Sequence, residues 1–214
     1  MRSVTRSLLL VSVCLLASPV GAWAQAPEPP GPFAIDVRGA FTSVGRSEEL
    51  AAPRGLLAEE LPKRVLGFDA GAHVYPVRGK VTLGVGASLL MIGGTQAPGA
   101  DASTVVTTTE GEYRVRGIVP QVSLNFGSSR GWSYLGGGVG LSQIRAGRAE
   151  SALTYGPQTL TLNVGGGARW FIGEHVAFTF DGRYYRIGAQ PLEGDYIGNP
   201  VVTMFVLSAG LSFK

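Results

Sequence analysis

The chain has 214 residues, of which 45% are hydrophobic and only 15% charged, and it carries 32 glycines, against an average glycine usage of about 7%. Such a composition is poor in the residues of long helices and points to a single all-β domain with many turns. Setting aside Arg2 and Arg6 with an N-terminal export segment takes the formal charge from +3 to +1, which excludes the strongly basic surface that nucleic acid would need.

The export segment is the first element. Arg2 and Arg6 precede a ten-residue apolar run, LLLVSVCLLA, and Ala22-Trp23-Ala24 supplies the small-x-small cleavage pattern. This predicts a cleaved signal peptide over residues 1–24; ten residues are too few to cross a bilayer as a helix. The only cysteine, Cys14, is lost with it, so disulfides and thiolate metal sites are excluded from the mature chain. Residues 25–32 form a Pro-rich extended leader.

From Phe33 the hydrophobic period becomes two, the spacing of strands. A first strand is expected over 33–42, then a charged loop over 43–62 with a short helical turn near 56–61. Strands follow over 65–77 and 80–92, joined by a tight Arg78-Gly79 turn. After a polar stretch, 93–110, a fourth strand is expected over 112–126. In it Tyr113 and Val115 are apolar on odd positions, while Val122, Leu124 and Phe126 are apolar on even ones. A bulge at Gly117 or Pro120 would absorb that change of parity. The remaining strands are expected over 132–144, 160–172, 175–187 and 201–214. In the last of these Phe205, Leu207, Ala209, Leu211 and Phe213 alternate with small or polar residues, Val206 excepted, and this strand should pair with the first and close the sheet.

Eight strands result, with connections that run long, short, long, short, long, short, long. Each strand has at least the roughly 9–11 residues that cross hydrocarbon when tilted, and alternating loop lengths are those of an up-and-down transmembrane β-barrel with short periplasmic turns and longer extracellular loops. The faces agree. Asp36, Arg38, Asp69, His73, Arg169, Asp181 and Arg183 share the face opposite the apolar one, so the polar face should line the lumen and the apolar one meet lipid. A soluble calyx would reverse this. An eight-stranded barrel barely holds its own side chains, so these charges should pair. Trp132, Tyr134, Trp170, Tyr184 and Phe213 are candidate interfacial girdle residues. Glu48, Glu49, Glu59 and Glu60, with Arg46 and Arg54, make the first loop a candidate interaction surface, although any exposed connection is polar.

The signal peptide, the eight strands and the segments SYLGGGVGL and LNVGGGARWFI resemble the small outer-membrane β-barrel family, the OmpA/OmpX-like group. The resemblance covers residues 33–214. It implies an integral outer-membrane protein of a Gram-negative-type envelope with a structural or interaction role, the alternative being a narrow porin-like pore. Implied partners are outer-membrane lipid or lipopolysaccharide and, through the C-terminal strand, the barrel-assembly machinery; partners of the loops are not identified. Enzymes that modify lipid A also use this scaffold, and a deacylase of this shape carries a His-x-Ser pair. Here His73 is followed by Val74-Tyr75 and His175 by Val176-Ala177, so neither matches and no catalytic residue, metal site or cofactor is expected.

Overall fold

Period-two alternation is realised as eight antiparallel strands. A computed structural model of the chain describes residues 28–97, 110–149, 155–192 and 196–214; the expected signal peptide lies outside them. The strands are β1 (Phe33–Ser43), β2 (Arg64–Val77), β3 (Val81–Gln96), β4 (Gly111–Ser128), β5 (Gly131–Arg148), β6 (Thr159–Phe171), β7 (Val176–Ile187) and β8 (Val202–Phe213). Each pairs with its neighbours in sequence, and β1 pairs with β8, so the sheet is a closed eight-stranded up-and-down barrel. The closing register sets Ile35 opposite Phe213 and Phe41 opposite Leu207, the pairing expected of the terminal strand.

Closure removes both sheet edges, and alternation then assigns every side chain. Phe33, Ile35, Val37 and Phe41 of β1 point out and are exposed, as do Leu160, Leu162, Val164 and Trp170 of β6 and Phe205, Leu207, Leu211 and Phe213 of β8. Leu135 and Val164 are 64% and 60% exposed. A water-soluble monomer rarely shows a contiguous apolar patch beyond about 300–600 Å². Here the whole girth is apolar, the inside-out arrangement of outer-membrane barrels.

The fourth strand departs from the sequence expectation. Its pairing with β3 runs without interruption from Val81 opposite Phe126 to Gln96 opposite Gly111, so no bulge sits at Gly117 or Pro120. Tyr113, Val115 and Val119 instead point inward and are buried, on the same face as Gln121, Ser123 and Asn125. The parity of the backbone is constant; the lumen itself changes from polar to apolar towards the loop end. The one register shift at a tight-turn end lies in β2, between Val74 and Val77, where Pro76 cannot donate to the ladder.

The connection between β1 and β2 folds back over the loop-end mouth. A four-residue helix, α1 (Glu48–Ala51), runs into a 3-10 turn (Ala52–Arg54), and a second 3-10 turn follows (Ala58–Glu60). The first pair ends at Gly55, whose φ of 62° gives the left-handed cap that favours glycine. Helix thus begins earlier than the expected turn near 56–61. Leu50, Ala51, Leu56 and Leu61 are buried in one cluster with Val65, Ile92, Tyr113, Ile144 and Val202. At the other end residues 28–32 run beneath the barrel: the Tyr75 amide donates to the Pro32 carbonyl at 2.9 Å and that of Ser129 to Glu28 at 2.7 Å.

Candidate functional site

The lumen is stacked in three layers. At the tight-turn end Ala34, Tyr75, Trp132 and Tyr134 are buried together, with Phe171 packed on them. Tyr75 meets Trp132 edge-on with centroids 6.0 Å apart, and Trp132 stacks on Phe171 at 5.0 Å. The loop end holds the apolar cluster just described. Between them lies the charge cluster.

All six charged residues of that cluster are within it, three carboxylates against three guanidiniums, and each finds a main partner. Arg169 holds Asp36 through two bonds, Nε to Oδ1 at 2.9 Å and Nη2 to Oδ2 at 2.5 Å. Arg38 Nη2 donates to Asp69 Oδ2 at 2.8 Å, and Arg183 holds Asp181 through Nε at 3.2 Å and Nη2 at 3.0 Å. Arg38 Nη1 also stands 3.8 Å from Asp36 and 3.9 Å from Asp181, which links the three pairs. The exposure of these six residues ranges from 0% to 3%. Charges so far from water need both a counter-charge and hydrogen bonds on their remaining atoms; forked geometry supplies both to Arg169–Asp36 and Arg183–Asp181, while Arg38 and Asp69 share one bond and leave Arg38 Nε and Asp69 Oδ1 without a protein partner.

Neutral side chains extend the network. The Tyr134 hydroxyl accepts from Arg38 Nη1 at 2.9 Å and donates to Asp181 Oδ2 at 2.7 Å. Gln121 Oε1 accepts from Arg183 Nη1 at 2.7 Å, and Gln121 in turn donates to the Ser88 hydroxyl. Ser208 Oγ donates to Asp69 at 3.4 Å, and Asn163 Oδ1 accepts from Arg183 at 3.5 Å. Every strand therefore contributes at least one member. The Arg169 guanidinium also lies over the Tyr134 ring at 4.3 Å from its centroid, a cation–π contact strengthened by desolvation.

Glycine makes this crossing possible. At Gly167 an added Cβ would stand 2.2 Å from the Phe180 carbonyl and 2.7 Å from the Tyr134 hydroxyl, so the phenol reaches Asp181 only over a bare backbone.

Two expected girdle residues are corrected. Trp132 and Tyr134 are 2% and 3% exposed and point into the lumen. They occupy even positions of β5, the parity of Gly136 and Ser142, while the outward row is Leu135, Val139 and Leu141. That parity is readable in the sequence. Trp170, Tyr184 and Phe213 do point outward, at 55%, 43% and 39% exposure, and Trp170 stacks on Phe178.

His73 stands in the lumen with Nδ1 4.0 Å from Asp36 Oδ2, walled off from the outer surface, and His175 lines a cleft of about 900 Å³ beneath the tight turns with Arg78, Arg130 and Lys214. Among the described residues no group of three or more His, Cys, Asp or Glu could hold a metal ion. At the loop end Arg54 is the residue that sequence reasoning misplaces. It is not a free loop charge but a latch: its guanidinium donates to the carbonyls of Leu50 at 2.8 Å, Ala146 at 3.2 Å and Ile197 at 2.9 Å, and to Asn199 Oδ1 at 2.6 Å. Burial draws its pKa below the ordinary guanidinium value. Glu60 is likewise buried, its Oε2 accepting from the Leu57 amide at 2.8 Å.

No protein-family model matches the chain, and no curated protein matches it in sequence. Solved structures do. The crystal structure of Neisserial surface protein A superposes with a TM-score of 0.55 at 16% identity, covering 86% of this chain and 97% of that one. Ail, the attachment invasion locus protein of Yersinia pestis, solved with the heparin analogue sucrose octasulfate, gives 0.48 at 16% identity over 87% and 99%. The N-terminal β-barrel domain of Pseudomonas aeruginosa OprF gives 0.38 at 13% identity over 87% and 98%. At these identities the likeness is one of fold: the small eight-stranded barrel of outer-membrane proteins.

Proposed function

We propose that this chain is an integral outer-membrane protein whose barrel is a closed, non-enzymatic scaffold, spanning lipid with its apolar girth and presenting its long connections outside the cell. The observation that carries the reading is the filled lumen: an aromatic layer, a charge-balanced ion-pair layer and an apolar lid succeed one another along the axis. We read such an interior as one that rigidifies the wall and closes the lumen to solutes. Lipid or lipopolysaccharide is the partner of the outer face, and the β8 strand, with its apolar row ending at Phe213, is the segment offered to barrel-assembly machinery. The N-terminal segment acts as the export signal. His73 faces the lumen, away from any lipid substrate, which supports the non-enzymatic role.

The test has two parts. Cell fractionation should recover the protein in the outer membrane, and its gel mobility in detergent should change on heating; a soluble periplasmic monomer would overturn the membrane reading. Liposomes containing the protein should not swell in small sugars or amino acids. Swelling at rates that scale with protein content would establish the alternative, a narrow pore through the ion-pair layer.

A further inference from the structure

The outer surface is not apolar to its full height, and its charges are unevenly spread. Pairing across β2, β3, β4 and β5 sets three outward rows near the loop end. The lowest is Ala70, Leu89, Ile118 and Leu141; the next Phe68, Met91, Arg116 and Gln143; the highest Leu66, Gly93, Arg114 and Arg145. Rows two residues apart are about 7 Å apart along a strand, so Arg116 stands about 7 Å above the last wholly apolar row. On the far side of the barrel the corresponding row is Leu162, Arg186 and Thr203, with a single cation.

Within this patch lies a groove of about 440 Å³ whose lining includes Leu66, Phe68, Met91, Gly93, Arg114 and Tyr155. Gly93 makes it. A Cβ there would stand 2.9 Å from Arg114 Cγ, so the arginine stem lies across β3 only because that position is bare. Arg116 is held for display: its Nε donates to Gln143 Oε1 at 3.0 Å, and its guanidinium caps the Tyr155 ring at 3.9 Å from the centroid. Glu112 pairs with Arg114 and Arg145, at 3.3 Å in the latter case. One carboxylate against the three arginines leaves the patch cationic.

We propose that this groove binds a single phosphorylated lipid, the phosphate seated against Arg114 and Arg116 and an acyl chain running over Gly93 between Phe68 and Met91. Charge and shape together commit the site to an anionic amphiphile. Guanidinium forks match phosphate oxygens two at a time, the groove floor is apolar, and the patch sits at the border where headgroups meet hydrocarbon. The inference rests on the membrane reading above and names a site for it.

The test is native mass spectrometry of the detergent-solubilised full chain with dioleoyl phosphatidic acid, with dioleoyl phosphatidylcholine and inorganic phosphate as controls. Wild type should retain one phosphatidic acid in preference to phosphatidylcholine, and millimolar phosphate should not displace it. Arg114→Ala/Arg116→Ala should weaken retention about thirty-fold, from the contribution of each arginine to anionic-lipid attraction. Gly93→Leu, which fills the groove and pushes aside the Arg114 stem that lies against this position, should also weaken it. The Arg116→Gln change alone, which leaves the lumen untouched and gives up only the surface contacts to Gln143 and Tyr155, should weaken it about fivefold. Unchanged retention in Arg116→Gln and Gly93→Leu overturns the site, and displacement by phosphate alone shows an anion site with no lipid specificity, which also overturns it. Heat-shifted mobility, scored on the same samples, reports separately on the barrel: its loss in wild type would overturn the membrane reading itself.

Discussion

Removing either half of the Asp36–Arg169 pair should destabilise the barrel, and removing both should cost much less than the two losses added. Breaking a buried ion pair by deleting one partner costs about 3–5 kcal/mol, because a charge is left uncompensated. Arg169→Met leaves Asp36 with Arg38 at 3.8 Å, so about 3 kcal/mol, the low end, is expected. Asp36→Asn leaves Arg169 over the Tyr134 ring at 4.3 Å and near the Trp132 ring at 5.7 Å. Such contacts are worth up to about 2 kcal/mol each when desolvated and hold this loss to about 3 kcal/mol as well. The double variant has no unpaired charge and leaves only the buried amide introduced by Asp36→Asn short of partners, at about 1–3 kcal/mol. The coupling is therefore about 3–5 kcal/mol. Reversible urea unfolding in phosphocholine vesicles, followed by tryptophan fluorescence, measures all four corners. Costs that add to within about 0.5 kcal/mol, the behaviour of independent sites, would refute a lumen organised by this pair.

Gly167→Ala should lower stability by about 1–3 kcal/mol, the range for forced overpacking, since a Cβ there meets the Phe180 carbonyl and the Tyr134 hydroxyl; an unchanged urea midpoint would count against the close crossing. Arg54→Ala should raise amide exchange across residues 44–63 while leaving β1–β8 protected, and unchanged exchange at Leu50 and Leu61 would mean that the latch carries no lid. Brominated lipids should quench Trp170 strongly and Trp132 weakly in single-tryptophan variants. Equal quenching would return Trp132 to the lipid face and undo its assignment to the lumen.

Most of the fold is legible in the sequence because alternation and loop order are local signals that closure merely joins. Strand count, the pairing of β8 with β1 and the facing of all seven lumen residues follow from parity. The failures have a shared cause. Trp132 and Tyr134 stand in the small-residue parity of β5, so assigning aromatic residues to girdles by type overrides the rule about faces. Tyr113 and Val115 suggest a bulge only if the lumen is polar throughout. An apolar lumen layer arises only when the 44–63 connection packs into the mouth, and that contact is long-range. Arg54 shows the same limit: nothing near it in sequence announces that Ala146, Ile197 and Asn199 will surround its guanidinium.

Single-channel recording across a planar bilayer tests the closed lumen most directly. With the ion-pair layer intact and the lid latched by Arg54, the wild-type barrel should insert, as shown by its heat-shifted mobility, and give no reproducible conductance steps. Discrete, reproducible steps whose size changes in Asp181→Asn would show that ions pass through the layer, and would contradict a filled structural interior.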